Sequence, residues 1–283
     1  MSTPTPSLAG IAGTSIAVAA LRALEDSRED RLFHDPYADR FRQAAGGNGY
    51  WDTAPTGWAG FVALMGEQVA VRTRYFDEVL TKAAEEGCEQ IVLLAAGMDA
   101  RAYRLPWPDG TRVFEIDVAE VLAFKSAVLR GAVPACERVE VATDLRLDWP
   151  RALREAGFLP GVPTAWLMEG ILYALTPVAA DSLLGHVTRL SAPGSVVAFE
   201  HLPDNPALRA ARTAVSAELT DIWIGGPQGE PGPWFGRHGW TVRARDVCEV
   251  AAAYGRPAPP AFDPGRDGSG PGWMGTARLA KAG

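Results

Sequence analysis

The chain of 283 residues is 47% hydrophobic and 22% charged, with 27 basic and 34 acidic side chains. This composition belongs to a folded globular protein and excludes global disorder, collagen and fibres, while the net charge of −7 disfavours nucleic acid as the main partner. Cys88, Cys136 and Cys248 are too few and too far apart for a zinc set or a disulfide framework, so no metal site is expected and a reducing, cytoplasmic setting is.

The apolar stretch from Leu8 to Leu24 comes first. It is too short and too interrupted, by Thr14, Ser15 and Arg22, to span a bilayer, and no membrane partner is expected. Ile16, Ala20, Ala23 and Leu24 recur at helical spacing and predict an amphipathic helix. A second helical, charged stretch runs from Glu67 to Leu80. From about residue 90 short apolar runs alternate with amphipathic ones, the pattern of repeated βα units. The predicted strands are Gln90 to Ala95, Thr111 to Ile116, Arg138 to Ala142, Thr164 to Met168, Ser195 to Glu200, Thr241 to Ala244 and Gly275 to Ala280. Helices are predicted from Asp117 to Leu129 and from Pro177 to Leu190, the latter capped by Thr176 with proline in its first turn. Pro203 to Trp240 breaks the alternation. It predicts a helix over Pro206 to Leu219 followed by Gly/Pro/Trp-rich chain, an insertion between late strands. The expected fold is α/β, a doubly wound, mostly parallel seven-stranded sheet with helices on both faces.

Ligands of such sheets sit outside the carboxyl ends of the strands. Those ends read Ala95-Ala96-Gly97-Met98-Asp99, Glu115-Ile116-Asp117, Thr143-Asp144-Leu145 and Met168-Glu169-Gly170. Acids and glycines without basic residues suit a ligand with hydroxyls and an amine better than a pyrophosphate. Asp117 follows Gly97 at the separation where a carboxylate accepts both hydroxyls of a ribose. The three-glycine dinucleotide fingerprint is missing, which disfavours a nicotinamide-dependent reductase. A non-catalytic nucleoside-binding protein is the other alternative.

These strand ends, extended to Leu94–Leu105, Phe114–Asp117 with Lys125, Thr143–Arg146 and Met168–Tyr173, resemble the leucine carboxyl methyltransferase family, and within it an actinobacterial branch acting on small molecules such as polyketide acids. Thr14-Ser15, Arg22–Ser27, Asp35–Ala38, Arg72–Asp77, His238–Trp240 and Tyr254–Arg256 extend the resemblance over nearly the whole chain. It implies a class I methyltransferase using S-adenosylmethionine and releasing S-adenosylhomocysteine. It also implies one domain, with an N-terminal helical cover over residues 1–88, a Rossmann-like cofactor-binding core over 89–202, the insertion over 203–240 and the last strands over 241–283. By the same resemblance Arg72 pairs with the methionyl carboxylate, and Ala96-Gly97 lets the backbone approach the cofactor. Asp117 takes the ribose, Asp144 the adenine amine and the Leu145 amide a ring nitrogen. Glu169 meets the methionyl ammonium or closes that side of the pocket.

Arg101 and Arg104 are expected to hold the loop after the first strand, and Asp35-Pro36-Tyr37 to form a turn anchoring the cover. The expected acceptor is a small organic acid, since an ionised carboxylate needs no general base. A phenol or alcohol acceptor is the alternative and would call on a base such as His201. Tyr173 is a further candidate, for catalysis or substrate contact. Trp51, Trp58, Phe61 and Met65 on one side, with Trp223, Trp234 and Phe235 in the insertion, are the candidate lining for a flat, apolar acceptor.

Overall fold

The computed structural model describes residues 11–46, 57–215 and 223–279. Helices α1 (Ile11–Asp26), α2 (Ala38–Ala44) and the long α3 (Gly57–Glu85) precede the first strand. The strands are β1 (Gln90–Leu94), β2 (Arg112–Asp117), β3 (Glu137–Ala142), β4 (Thr164–Met168), β5 (Val196–His201), β6 (Trp240–Asp246) and β7 (Trp273–Leu279). They pair in the order β3-β2-β1-β4-β5-β7-β6, parallel through β5 and antiparallel for β7 and β6. All seven predicted strands are present, β4 with the predicted bounds.

β1 and β4 are buried along their whole length and read as continuous apolar runs because both faces of the sheet are covered. The period of two divides them: Ile91 and Leu93 pack with Phe76 and Leu80 of α3, whereas Val92 and Leu94 join the opposite core with Trp149, Trp166 and Leu184. Trp149 belongs to α6 (Trp149–Glu155) and Leu184 to α7 (Pro177–Leu190). α4 (Arg101–Arg104) follows β1 as a single turn. α7 has the predicted bounds, with the Thr176 hydroxyl accepting from the Ala179 amide at 3.2 Å. α5 (Ala119–Val128) starts two residues later than predicted because Asp117 still pairs in β2, opposite Ala142.

The cover is pinned on two flanks. Ile16 and Ala19 of α1 pack with Phe41 of α2 against Met98, Val121 and Phe124, while Leu21 meets Met65 and Val69 of α3 together with Leu202 and Leu208. The turn before α2 is held by the Asp35 carboxylate, which accepts from the Tyr37 and Ala38 amides, as expected of an anchor. The insertion splits between the two faces: α8 (Pro206–Val215) packs on α3, and α9 (Pro231–Gly236) packs on β6. A further helix, α10 (Val247–Ala253), lies between β6 and β7 in the chain. Among the described residues no helix is long and apolar enough to cross a membrane.

Candidate functional site

Strand order reverses between β1 and β4, so the chain leaving their carboxyl ends runs in opposite directions and leaves a crevice. A cleft of about 780 Å³ opens there, floored by Leu93–Asp99, Asp117 and Glu169-Gly170 and roofed by Thr14, Ser15, Val18 and Arg22 of α1. Gly97 makes the close approach possible: its φ is +46°, and a Cβ there would lie 2.8 Å from the Ser15 Cβ. Ala95 also has a positive φ, +55°, a left-handed conformation that a β-carbon disfavours and that had no signal in the sequence. Ala96 lies between them, its amide bonded to the Ile116 carbonyl at 2.9 Å.

Asp117 stands at the end of β2 with each carboxylate oxygen on a backbone amide, Oδ2 on Gly97 N at 2.7 Å and Oδ1 on Val118 N at 2.8 Å. Burial nonetheless raises its pKa, the two amides only partly opposing. A carboxylate aimed this way retains lone pairs for a vicinal diol.

The opposite end of the cleft is an ion cluster. Glu169 takes Arg22 at 2.6 Å and Arg72 Nε at 3.0 Å on Oε1, and Arg101 at 2.7 Å on Oε2. Burial works to raise its pKa, but Arg101, Arg22 and Arg72 overcome this and hold it well below the usual range. Arg101 is fully buried and also pairs with Asp77 at 2.7 Å and with Asp99; Arg104 joins Asp77 at 2.6 Å. The two arginines thus tie the loop after β1 to α3, as expected. Arg72 makes a buried pair with Glu200 at 2.8 Å, and Glu200 also accepts from Gln68 and from the Gly170 amide. Burial raises the Glu200 pKa, since a single guanidinium offsets it where Glu169 has three.

Asp99, Asp117 and Glu169 with Arg22 and Arg72 present both signs of charge to one cleft. This donor set fits a zwitterionic amino-acid end joined to a ribose. Asp144 and Leu145 lie one strand farther out and do not line the cleft; Asp144 is held by exposed Arg146 at 2.5 Å, a contact that lowers its pKa.

A second chamber adjoins the first and shares Thr14, Val18, Arg72 and Tyr173 with it. Its remaining wall is Ala17, Leu21, Phe61, Met65, Val69, Leu202, Arg212 and Trp223, mostly apolar. Tyr173 stacks on Trp223 with centroids 3.7 Å apart and planes at 9°, and burial pushes its phenol up to about 12. The structure therefore brings together Phe61, Met65, Tyr173 and Trp223.

Two expectations are corrected. Trp234 and Phe235 are buried in the core on the other face, Phe235 against Phe199 at 4.5 Å, because α9 folds beneath the sheet rather than over the chamber. His201 alternates with Glu200 along β5 and turns away from α3, its Nε2 on the Gly229 carbonyl at 3.2 Å and its ring stacked on Trp273. It lines neither chamber, and burial lowers its pKa. Trp51 lies outside the described residues, as does the side chain of Trp58, whose backbone is in α3.

Glu200, Gln68, Arg22 and Arg212 are site residues that the strand-end reading missed. Glu200 carried the same signal as Asp117 and Glu169, an acid ending an apolar strand. The others lie on helices, where only the tertiary fold aims them. Among the described residues no group of acids, histidines and cysteines could hold a metal ion.

The family profile described as leucine carboxyl methyltransferase matches residues 15–188. A protein of Parafrankia sp., named among the S-adenosyl-L-methionine-dependent methyltransferases, is 46% identical over 263 residues, covering 89% of this chain and 83% of its own. A Frankia alni protein of the same naming is 47% identical over 256 residues, covering 89% and 91%. Among solved structures, one described as a methyltransferase from Thermobifida fusca has a TM-score of 0.57 at 20% identity, covering 98% of this chain and 96% of that one, a likeness of fold.

Proposed function

The chain belongs to the leucine carboxyl methyltransferase family, and on that premise we propose that it transfers a methyl group to a carboxylate of a small, natural-product-like organic acid, giving the methyl ester. It is an S-adenosylmethionine-dependent methyltransferase. In the proposed arrangement Asp117 accepts from the ribose hydroxyls and Ala96-Gly97 gives the backbone room. Arg72, with Nη1 on Glu200 and Nε toward Glu169, is left to meet the methionyl carboxylate with Nη2. Glu169, saturated by three guanidiniums, closes that end. Asp144 and the Leu145 amide, after β3 and one strand beyond the cleft's lining, are assigned to an adenine that would extend past Asp117 along the sheet edge and take Asp144 from Arg146.

When bound, the sulfonium supplies an activated methyl and a good leaving group, so the protein has only to align an ionised nucleophile and exclude water. The observation that carries the carboxylate reading is the lack of a general base among the described residues that line the second chamber. Tyr173 is held protonated near neutral pH, Arg72 and Arg212 are cations, the other wall residues do not titrate, and His201 points elsewhere. A carboxylate arrives already deprotonated. Thr14 and Val18 of α1, shared by both chambers, roof the junction where transfer would occur.

The test is transfer of labelled methyl from S-adenosylmethionine to a panel of aromatic and polyketide-like mono- and dicarboxylic acids, followed by mild alkaline hydrolysis. Label released by alkali identifies an ester. Alkali-stable label would identify an ether and replace this reading with hydroxyl O-methylation. No transfer, with no binding of S-adenosylhomocysteine, would remove the cofactor assignment.

A further inference from the structure

The apolar second chamber contains one cation that the methyl-transfer reading does not use. Arg212, from α8, is 1% exposed yet lines that chamber. Its Nη2 donates to Asp204 Oδ1 at 2.7 Å, whereas Nε and Nη1 are buried without a hydrogen-bond partner. Each such N–H left without an acceptor is costly in a dry environment, and more so on a charged group. Asp204 does not neutralise the site, because it is shared with Arg209, which donates to Oδ2 through both Nε and Nη2. Among the described residues, two guanidiniums thus share this one carboxylate.

The location is also informative. Arg212 stacks on the Trp223 indole at 4.3 Å, and Tyr173 stacks on the same indole at 3.7 Å. Two groups so close to one ring centroid occupy opposite faces. Tyr173 borders both chambers and Arg212 only the second, so the cation stands one aromatic layer away from the junction with the cofactor cleft.

We propose that Arg212 anchors an anionic group of the acceptor, a carboxylate that meets one of its unpartnered nitrogens, on an otherwise flat and apolar molecule. Nε and Nη1 lie on either side of the occupied Nη2 and point apart, so one carboxylate is held by the guanidinium's charge and one of these nitrogens rather than by a two-pronged fork. Because Arg212 is removed from the junction, this anion is the handle by which the acceptor is held, distinct from the oxygen that receives the methyl. The preferred acceptor then carries two acidic groups, one methylated and one retained. This inference rests on the reading of the second chamber as the acceptor pocket.

The experiment is calorimetric titration of the protein saturated with S-adenosylhomocysteine, using 2-naphthoate and its neutral counterpart 2-naphthamide as probes. Wild-type protein is expected to bind the carboxylate at least tenfold more tightly than the amide. R212M should abolish that preference while leaving amide and S-adenosylhomocysteine affinity unchanged, and R212K should restore it in part, keeping the charge with a shorter reach and a different donor geometry. Equal binding of the two probes by wild-type protein, absence of carboxylate binding, or a preference that survives in R212M would overturn the proposal. The wild-type comparison needs no variant to fold. Failure to bind S-adenosylhomocysteine would count instead against the cofactor assignment, so the two failures are told apart.

Discussion

The cleft and the second chamber share four residues but are built on opposite principles. The cleft is founded on strand ends: backbone turns at Ala95 and Gly97, the Asp117 carboxylate and an ion cluster in which each buried charge answers another. The chamber is founded on side chains from α1, α3 and the insertion, apolar except at Arg72, Arg212 and a few hydroxyls. The difference teaches that one half of the site is set by the sheet, whose geometry leaves little choice, and the other by covering segments that can vary without disturbing it.

The largest expected effect is on the buried ion cluster at the end of the cleft. Arg101→Met leaves Asp77, Asp99 and Glu169 short of a partner in a buried cluster, and should lower stability by about 3 to 5 kcal/mol in urea unfolding. A loss below about 1 kcal/mol would show that the cluster does not underpin the cleft. Next in size, Asp117→Ala should weaken S-adenosylhomocysteine binding by about 1 to 3 kcal/mol in calorimetry. Arg72→Ala should do the same and, because Arg72 borders both chambers, should also raise the acceptor KM. Wild-type cofactor affinity in both variants would break the assignment of the cleft.

Trp223→Ala sharpens the contrast from the other side. It removes the stacked partner of Tyr173 and should raise acceptor KM about threefold to tenfold with cofactor affinity unchanged. A change in cofactor affinity instead would merge the two chambers into one functional unit. The smallest effect is expected from His201→Ala, whose ring faces Gly229 and Trp273. Methyl transfer should stay within about twofold of wild type, and its pH profile should lack a histidine limb. A loss of several orders of magnitude with normal binding would restore a base-requiring acceptor.

Much of the cleft was legible because short apolar runs locate strands, and the residues just beyond them are where an α/β sheet presents its ligand groups. Glu200 was legible by the same rule, yet it follows Phe199 in the strand and was passed over for its neighbour His201, although only one of two successive side chains can face α3. The chamber was less legible. The insertion supplies Trp223 to one face of the sheet and Trp234 to the other, and the Gly/Pro-rich sequence around both is alike.

By itself the sequence determined the order and nature of the strands, the caps of α7 and the acids at the sheet's edge, since these follow from local periodicity and backbone chemistry. Only the tertiary structure decided that Arg22, Arg72 and Arg101 converge on Glu169, that Ser15 closes on Gly97, and that Arg212 enters an apolar chamber with two N–H groups unanswered. Such pairings join residues as much as 147 positions apart. No local pattern encodes them, because they exist only once α1 and α3 have packed over the sheet and excluded water from the charges between them.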